Sequence, residues 1–546
     1  MRGPTLLNSK SLGIHVVEVD EGAAALRSSW EGDPDYEFEE TGEGNGAAEF
    51  EEKVSRKQLW LIYSLQLAEA IVAASLSPQL YVLLRDSELC GSINTAYWTG
   101  LVEAIFALGS IAGLCWGRLG DKYGRKPIAL IGMIGLSVSC IVMGFSTGIF
   151  MCALIRAFAG LMSSCIRVAV AAMLGDISHS SRAKARSFSR LPLVATGGVI
   201  GPLLQAALAH RFANDGIFWK TYPILISQMA CAALMLAIFG VNLVMLKETL
   251  PSSLSAHDFE KSLSSHRRGS ESSDEFGEET SFLGRNGISL PHNDKLAPIA
   301  LSEILRSRSL MIILAAYSLF SLHSASFDQL LPLLGNSPTK LGGLGLPCSF
   351  ISLVVFFASL AAGLVIWFSS PRAIKKLGLL PSFRAACWVL PAIYFLTPLL
   401  SKLARESQPA IIASSVFSIF AKTLVTGAVK TLVLVVVTNS SPDPYSLATI
   451  MGAMELAGHV RALAVLGTGA AWWLAEDLGR GWTNYGLWAT ILGVSIFGAG
   501  VAHLVRDRPY VRDYEGSLRW EVCYDSMTES TEDLQGFNEK EIEASS

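Results

Sequence analysis

Apolar runs of about 20 residues recur along the chain, each closed by a polar or glycine-rich turn. A run of that length crosses a bilayer core of about 30 Å as a helix. Twelve are predicted to span: 58–83, 94–116, 127–145, 149–175, 187–210 and 218–245, then 310–334, 349–368, 384–400, 409–438, 447–473 and 485–504. A long polar stretch separates the first six from the last six. The pattern predicts an all-α membrane protein, with twelve transmembrane helices in two pseudo-symmetric six-helix bundles. The bundles occupy residues 58–247 and 301–505, beside an acidic N-terminus (1–57), a Ser- and acid-rich linker (248–300) and a flexible C-tail (506–546).

Charge orients these elements. Lys53, Arg56 and Lys57 precede the first span, and cations cluster again in alternate loops: Arg118, Lys122, Arg125 and Lys126; Arg182, Lys184, Arg186 and Arg190; Arg372, Lys375, Lys376 and Arg384. By the positive-inside rule these loops and both termini are cytosolic. The loop 439–445 breaks the pattern, carrying no Lys or Arg. Plasma membrane and vacuole fit equally well.

The chain is 51% hydrophobic and 16% charged, too apolar for a soluble protein of its length. Its net charge of −4 points to no nucleic-acid partner. The nine cysteines lack zinc-like spacing; Cys90 and Cys348 fall in loops on the non-cytosolic face, where a disulfide can form. In the linker, Arg267 and Arg268 precede Ser270, and acids follow Ser272 and Ser273. These serines are phosphorylation candidates, and phosphate there would bring negative charge near the cationic loops.

Ionisable residues inside spans are costly and mark a pathway or a proton relay. The spans hold Glu69, Glu103, Arg156, Arg167, His323, Asp328, Lys422, Lys430, Glu455, His459 and Arg461. Arg156 and Arg167 lie eleven residues apart, about three helical turns, and so share a face. Glu455 and His459 stack at i, i+4, a spacing that reads as a packing pair rather than a metal site. Glu69 and Asp328 read as proton carriers, because burial raises a carboxylate's proton affinity. Either is expected to pair with Arg156. For Arg167, Lys422 and Lys430, transport and simple charge neutralisation between helices serve equally. No cofactor site appears, and no phosphate-binding loop, so an ion gradient must supply the energy. No catalytic constellation supports an enzyme.

The most specific stretch runs from Gly117 to Pro127, a charged hairpin between spans two and three. Gly117, Leu119, Gly120, Asp121, Lys122, Gly124, Arg125 and Lys126 match G-x-L-(small)-D-(R/K)-x-G-R-(K/R). It resembles the signature loop of the major facilitator superfamily, which latches the two halves of a transporter on the cytosolic side. That resemblance implies a gate role for Gly117, Asp121, Gly124, Arg125 and Lys126. The stretch 372–378 is a worn echo in the second half. At the start of span five, Gly197, Gly201 and Pro202 resemble the antiporter element G-x-x-x-G-P, without its trailing glycines. Arg156 to Gly160 resembles the R-x-x-x-G element, whose arginine is implicated in proton transfer. Leu67-Ala68-Glu69, Gly100 to Glu103, Gly342 to Gly345 and Asn439 to Pro442 are similar to fungal relatives of zinc-induced-facilitator-like carriers among the drug:proton antiporters.

The expectation is a monomeric secondary transporter in a lipid bilayer. It exchanges a small organic molecule for protons by alternating access, with Glu69, Glu103, Arg156, Arg167, Asp328, Lys430, Glu455 and His459 along the pathway. Uptake by symport, and a transporter-like sensor that binds cargo without turnover, are the alternatives.

Overall fold

A computed structural model describes residues 44–76, 95–178, 180–208, 217–250, 306–336, 346, 348–403, 407–441, 444–464, 467–468, 482–506, 510–512 and 518–520. Cys90 and the serines at 270, 272 and 273 lie outside them. The chain divides into two units, residues 1–56 and 57–546, and the second holds the helical bundle.

The first half contains α1 (Gly44–Ser75), α2 (Thr95–Gly109), α3 (Gly113–Tyr123), α4 (Arg125–Gly144), α5 (Ile149–Ile177), α6 (Ser181–Phe188), α7 (Leu191–Thr196), α8 (Ile200–Leu208), α9 (Ile217–Thr221) and α10 (Leu225–Met245). The second contains α11 (Arg308–Asn336), α12 (Cys348–Leu377), α13 (Leu379–Leu403), α14 (Gln408–Asn439), α15 (Leu447–Gly458) and α16 (Trp482–His503). Past the last helix, Tyr510–Arg512 pairs antiparallel with Leu518–Trp520. Ten helices among the described residues are long and apolar enough to cross a membrane. Two further predicted spans correspond to α1 and α15; the remainder of the eleventh falls partly outside the described residues.

Three boundaries differ from expectation, each for a local reason. Helix α3 carries the charged stretch through Tyr123, so the hairpin is not a long loop. Its turn is Gly124 alone, at φ +107°, a conformation L side chains rarely adopt. The helix survives its charges because Arg118 and Lys122 point outward, while Gly117, Gly120 and Asp121 line the buried side. Helix α12 likewise runs through Pro371 to Leu377, and Gly378 at φ +84° makes the equivalent turn. The echo seen in the sequence is thus an echo of backbone geometry, although the second copy lacks an aspartate. Span five is segmented: α6 ends at Phe188, Pro192 opens α7, and a 3₁₀ turn at Gly197–Val199 precedes α8. The Gly197–Pro202 element therefore sits mid-span, not at its start.

Backbones cross closely where glycines fall. A Cβ on Gly160 of α5 would strike the Phe106 carbonyl of α2, and one on Gly201 would strike the Ile71 carbonyl of α1. Between the halves, α3 lies on α15: a Cβ on Gly117 would strike the Ala448 carbonyl, and one on Gly452 the Gly113 carbonyl. Membrane helices associate by such close packing rather than by hydrophobic expulsion from water.

Gly160→Val tests the α2–α5 crossing. Overpacking of this kind costs roughly 1–3 kcal/mol, so the purified variant should show an apparent Tm several degrees lower. Heat stability equal to wild type would contradict the crossing.

Candidate functional site: a closed latch, an arginine bridge and a central cavity

One end of the bundle is closed by polar ties between the halves. Asp121, buried at the end of α3, faces the N-terminus of α15. Its Oδ1 accepts from the Ala448 backbone N–H at 3.0 Å, and its Oδ2 from the Thr449 N–H and hydroxyl, each at 2.7 Å. A carboxylate on free N–H groups at the positive end of a helix dipole is a favourable pairing. Arg125, fully buried, stands 3.5 Å from Asp121 and ion-pairs with Asp176 at the end of α5. Glu248 accepts from the backbone N–H groups of Arg125 at 2.9 Å and Lys126 at 3.0 Å, capping α4. Lys126 Nζ donates to the Leu243 carbonyl at 2.9 Å. A second tie joins α6 to α14: Lys184 Nζ donates to Asn439 Oδ1 at 3.0 Å, and Asn439 Nδ2 to the Ser181 hydroxyl at 2.8 Å. Arg190 stacks between Tyr63 and Trp367, bridging α1 and α12.

Deeper in the bundle, Arg167 of α5 joins the halves. Its Nη1 donates to Glu69 Oε1 of α1 at 2.7 Å, and its Nε to Glu455 Oε1 of α15 at 2.7 Å. Ser163, one turn away, hydrogen-bonds both Glu69 and Arg167. Gln66 Nε2 donates to the other Glu69 oxygen at 2.9 Å. Glycine makes room here: a Cβ on Gly113 would lie 3.1 Å from the Glu455 side chain.

The expected pairing of Arg156 with Glu69 or Asp328 is not found. Arg156 instead meets Glu103 of α2 at 2.6 Å and covers the Phe106 ring. Glu69 is taken by Arg167, and Asp328 of α11 by Lys422 of α14. Arg156 and Arg167 share a helix but not a cluster. His459 Nδ1 rests 2.5 Å from the Glu455 backbone carbonyl, so its i, i+4 neighbour is met through the main chain. Glu248, Asp176 and Gln66 complete these networks without having been candidates in the sequence, and Asn439, which the sequence singled out only as part of a family-like stretch, is a tie between the halves. The usable signal was an acid at each of two span ends, Asp176 and Glu248, next to the Arg/Lys hairpin.

Between the halves lies a cavity of about 550 Å³, a size suited to a small organic molecule. Apolar walls come from Leu191, Pro192, Val355 and Ile366, and polar groups from Asp328, Lys422, Thr426 and Lys430. Phe188 and Leu434 also line it. A smaller chamber of about 150 Å³ continues past Lys430 to Arg167, Tyr317 and Glu455. Lys430 is solvent-accessible because it lines both spaces.

Two helical halves closed at one end over a charged, ligand-sized cavity define a membrane carrier. The chain belongs to the Major Facilitator Superfamily, whose profile matches residues 59–465. It is 25% identical over 493 residues to the Major facilitator superfamily multidrug transporter mfsB of Aspergillus fumigatus, covering 79% of this chain and 81% of that protein. It is 25% identical over 376 residues to ZINC INDUCED FACILITATOR-LIKE 1 of Arabidopsis thaliana, covering 66% and 72%. Among solved structures, the human organic anion transporter MFSD10 superposes with a TM-score of 0.60 at 17% identity, covering 82% of this chain and 99% of that one. At that identity the likeness is one of fold.

Asp121→Asn should loosen the latch, since hydrogen bonds to a charged group are worth about 1.5–3 kcal/mol. Cysteines placed at Gly120 and Ala448, where an added Cβ on Gly120 would lie 3.4 Å from the Ala448 Cβ, should then crosslink with a yield lowered about tenfold. An unchanged yield would contradict the latch.

Proposed function

We propose that this carrier exports a small organic molecule in exchange for protons by alternating access, with Arg167 as the coupling element. The observation that carries this is the double engagement of Arg167 by Glu69 in one half and Glu455 in the other. A proton on Glu455 removes the leg that crosses between the halves, whereas one on Glu69 releases Arg167 within its own half. In the first case the halves lose a tie, and the latch is left to hold the closed end alone. The positive-inside rule puts that end toward the cytosol, so protonation from outside favours opening inward. Asp328, 58% exposed and paired with Lys422, is a second proton acceptor on the cavity wall. Arg156 with Glu103 neutralises charge between α2 and α5 and stands apart from the bridge. Exchange is supported by the Gly197–Pro202 element packed on α1 and by likeness to a protein named for multidrug transport.

A second reading, cotransport of proton and cargo, rests on Lys430. Among the described residues no carboxylate pairs with it, so protonating Glu69 or Glu455 leaves the cavity more cationic.

The decisive assay starts from metabolite profiling of cells with and without the gene, then follows the best hit in proteoliposomes. An imposed pH gradient should accelerate flux several-fold, with protons moving opposite to cargo. Glu69→Gln should keep cargo–cargo exchange but lose at least about tenfold of the gradient-driven rate. Flux indifferent to the gradient would reject proton coupling, and protons moving with cargo would select the second reading.

A further inference from the structure

We propose that the central cavity seats an organic anion, with the anionic group on Lys430 and Thr426 and the apolar body against the α7 and α12 walls. The inference rests on the carrier reading above but not on its direction.

Lys422, Thr426 and Lys430 follow one another at i, i+4 and i+8 on α14, a stripe about 12 Å long facing the cavity. The three residues are not equivalent. Lys422 is buried and already holds Asp328. Thr426 is 7% exposed, and its hydroxyl has no hydrogen-bond partner. A buried hydroxyl left unsatisfied is costly, and a ligand acceptor would recover that cost. Lys430, one turn on, presents an ammonium at the junction of the two chambers. Thr426 and Lys430 thus line the same space and can both donate, which is the pattern a carboxylate or sulfonate satisfies.

The surrounding charges agree. Glu69 and Glu455 share Arg167, and Asp328 is held by Lys422. Arg461 lies within electrostatic reach of both Lys430 and Glu455. Three carboxylates therefore face four cations. A cationic ligand would find the acids that line the two chambers, Asp328 and Glu455, already occupied by Lys422 and Arg167. The remaining walls, Leu191, Pro192, Val355 and Ile366, suit an aliphatic or aromatic body and offer it no charge.

The test uses the full chain purified in detergent, with no gradient, and three probes of one shape: 4-phenylbutyrate, 4-phenylbutyramide and 4-phenylbutylamine. Ligand-induced thermal stabilisation is titrated for each. The carboxylate should half-saturate at a concentration about tenfold below the amide, and the amine should not stabilise. Lys430→Met should erase the carboxylate preference and Lys430→Arg should keep it. Thr426→Val, a near-isosteric change, should weaken the carboxylate several-fold and leave the amide less affected, which keeps the test open if Lys430→Met fails to fold. Equal binding of all three probes, preference for the amine, no binding by the carboxylate, or a preference that survives both Lys430→Met and Thr426→Val would overturn the seat. Carboxylate binding together with flux indifferent to a pH gradient would remove the coupling reading and keep the seat. Gradient-driven flux without carboxylate preference would do the reverse.

Discussion

A charge in the hydrocarbon core must be answered by another charge, by a helix end or by water. That constraint organises this molecule. Arg167, Glu69 and Glu455 answer one another across the two halves, and Arg156 with Glu103 does so inside one half. Lys422 with Asp328 does so inside the other. Asp121 is answered by the open N–H groups of α15 and by Arg125. A buried ion pair adds little net stability, because desolvation offsets most of the attraction. Removing one member is another matter, since the survivor is left uncompensated. Such pairs make good switches and poor glue. The two that cross between halves, at Arg167 and at Asp121, are the ones a rocking motion must break.

The closed end is layered. Outermost are the backbone and side-chain bonds of Asp121, Lys184 and Asn439. Within them, Arg190 lies on the Tyr63 and Trp367 rings. Deepest is the Arg167 bridge. Between α3 and α15 the contact is nearly backbone on backbone, because Gly113, Gly117 and Gly452 carry no side chain there. Small residues let the latch carboxylate reach the helix end, and they also let Glu455 approach Arg167. Close packing and charge pairing are therefore one design along this interface. The second half repeats the Gly124 turn at Gly378 but not the aspartate, so the latch is one-sided.

Much of this was legible in the chain. Apolar run length gave the spans, and alternating Arg and Lys gave the loops. The Gly117–Pro127 stretch gave the family. The identity of the buried ionisable residues was also plain, because such residues are few. Their pairing was not. Helices apolar on every side give little rotational signal, so the sequence could not say which acid each arginine meets. Arg156 and Arg167 share a stripe, yet one faces α2 and the other faces α1 and α15. Helix α3 runs on through Arg118 and Lys122, residue types that in sequence resemble a loop. On an exposed face beside the membrane they cost a helix little, since long cationic side chains reach toward water. Lys430 reads equally as pathway or packing in the sequence, and its place on the walls of both chambers is visible only in the fold.

The central claim is that protons loosen the Arg167 bridge and thereby open the latch end. Its most direct test is a distance distribution between spin labels on Lys122 of α3 and Tyr445 beside α15, measured against pH in nanodiscs. The account predicts a second, longer distance that grows as pH falls, with Glu455→Gln, which removes the leg that crosses between the halves, showing it already at neutral pH. A single short distance, unchanged by pH and by Glu455→Gln, would contradict it.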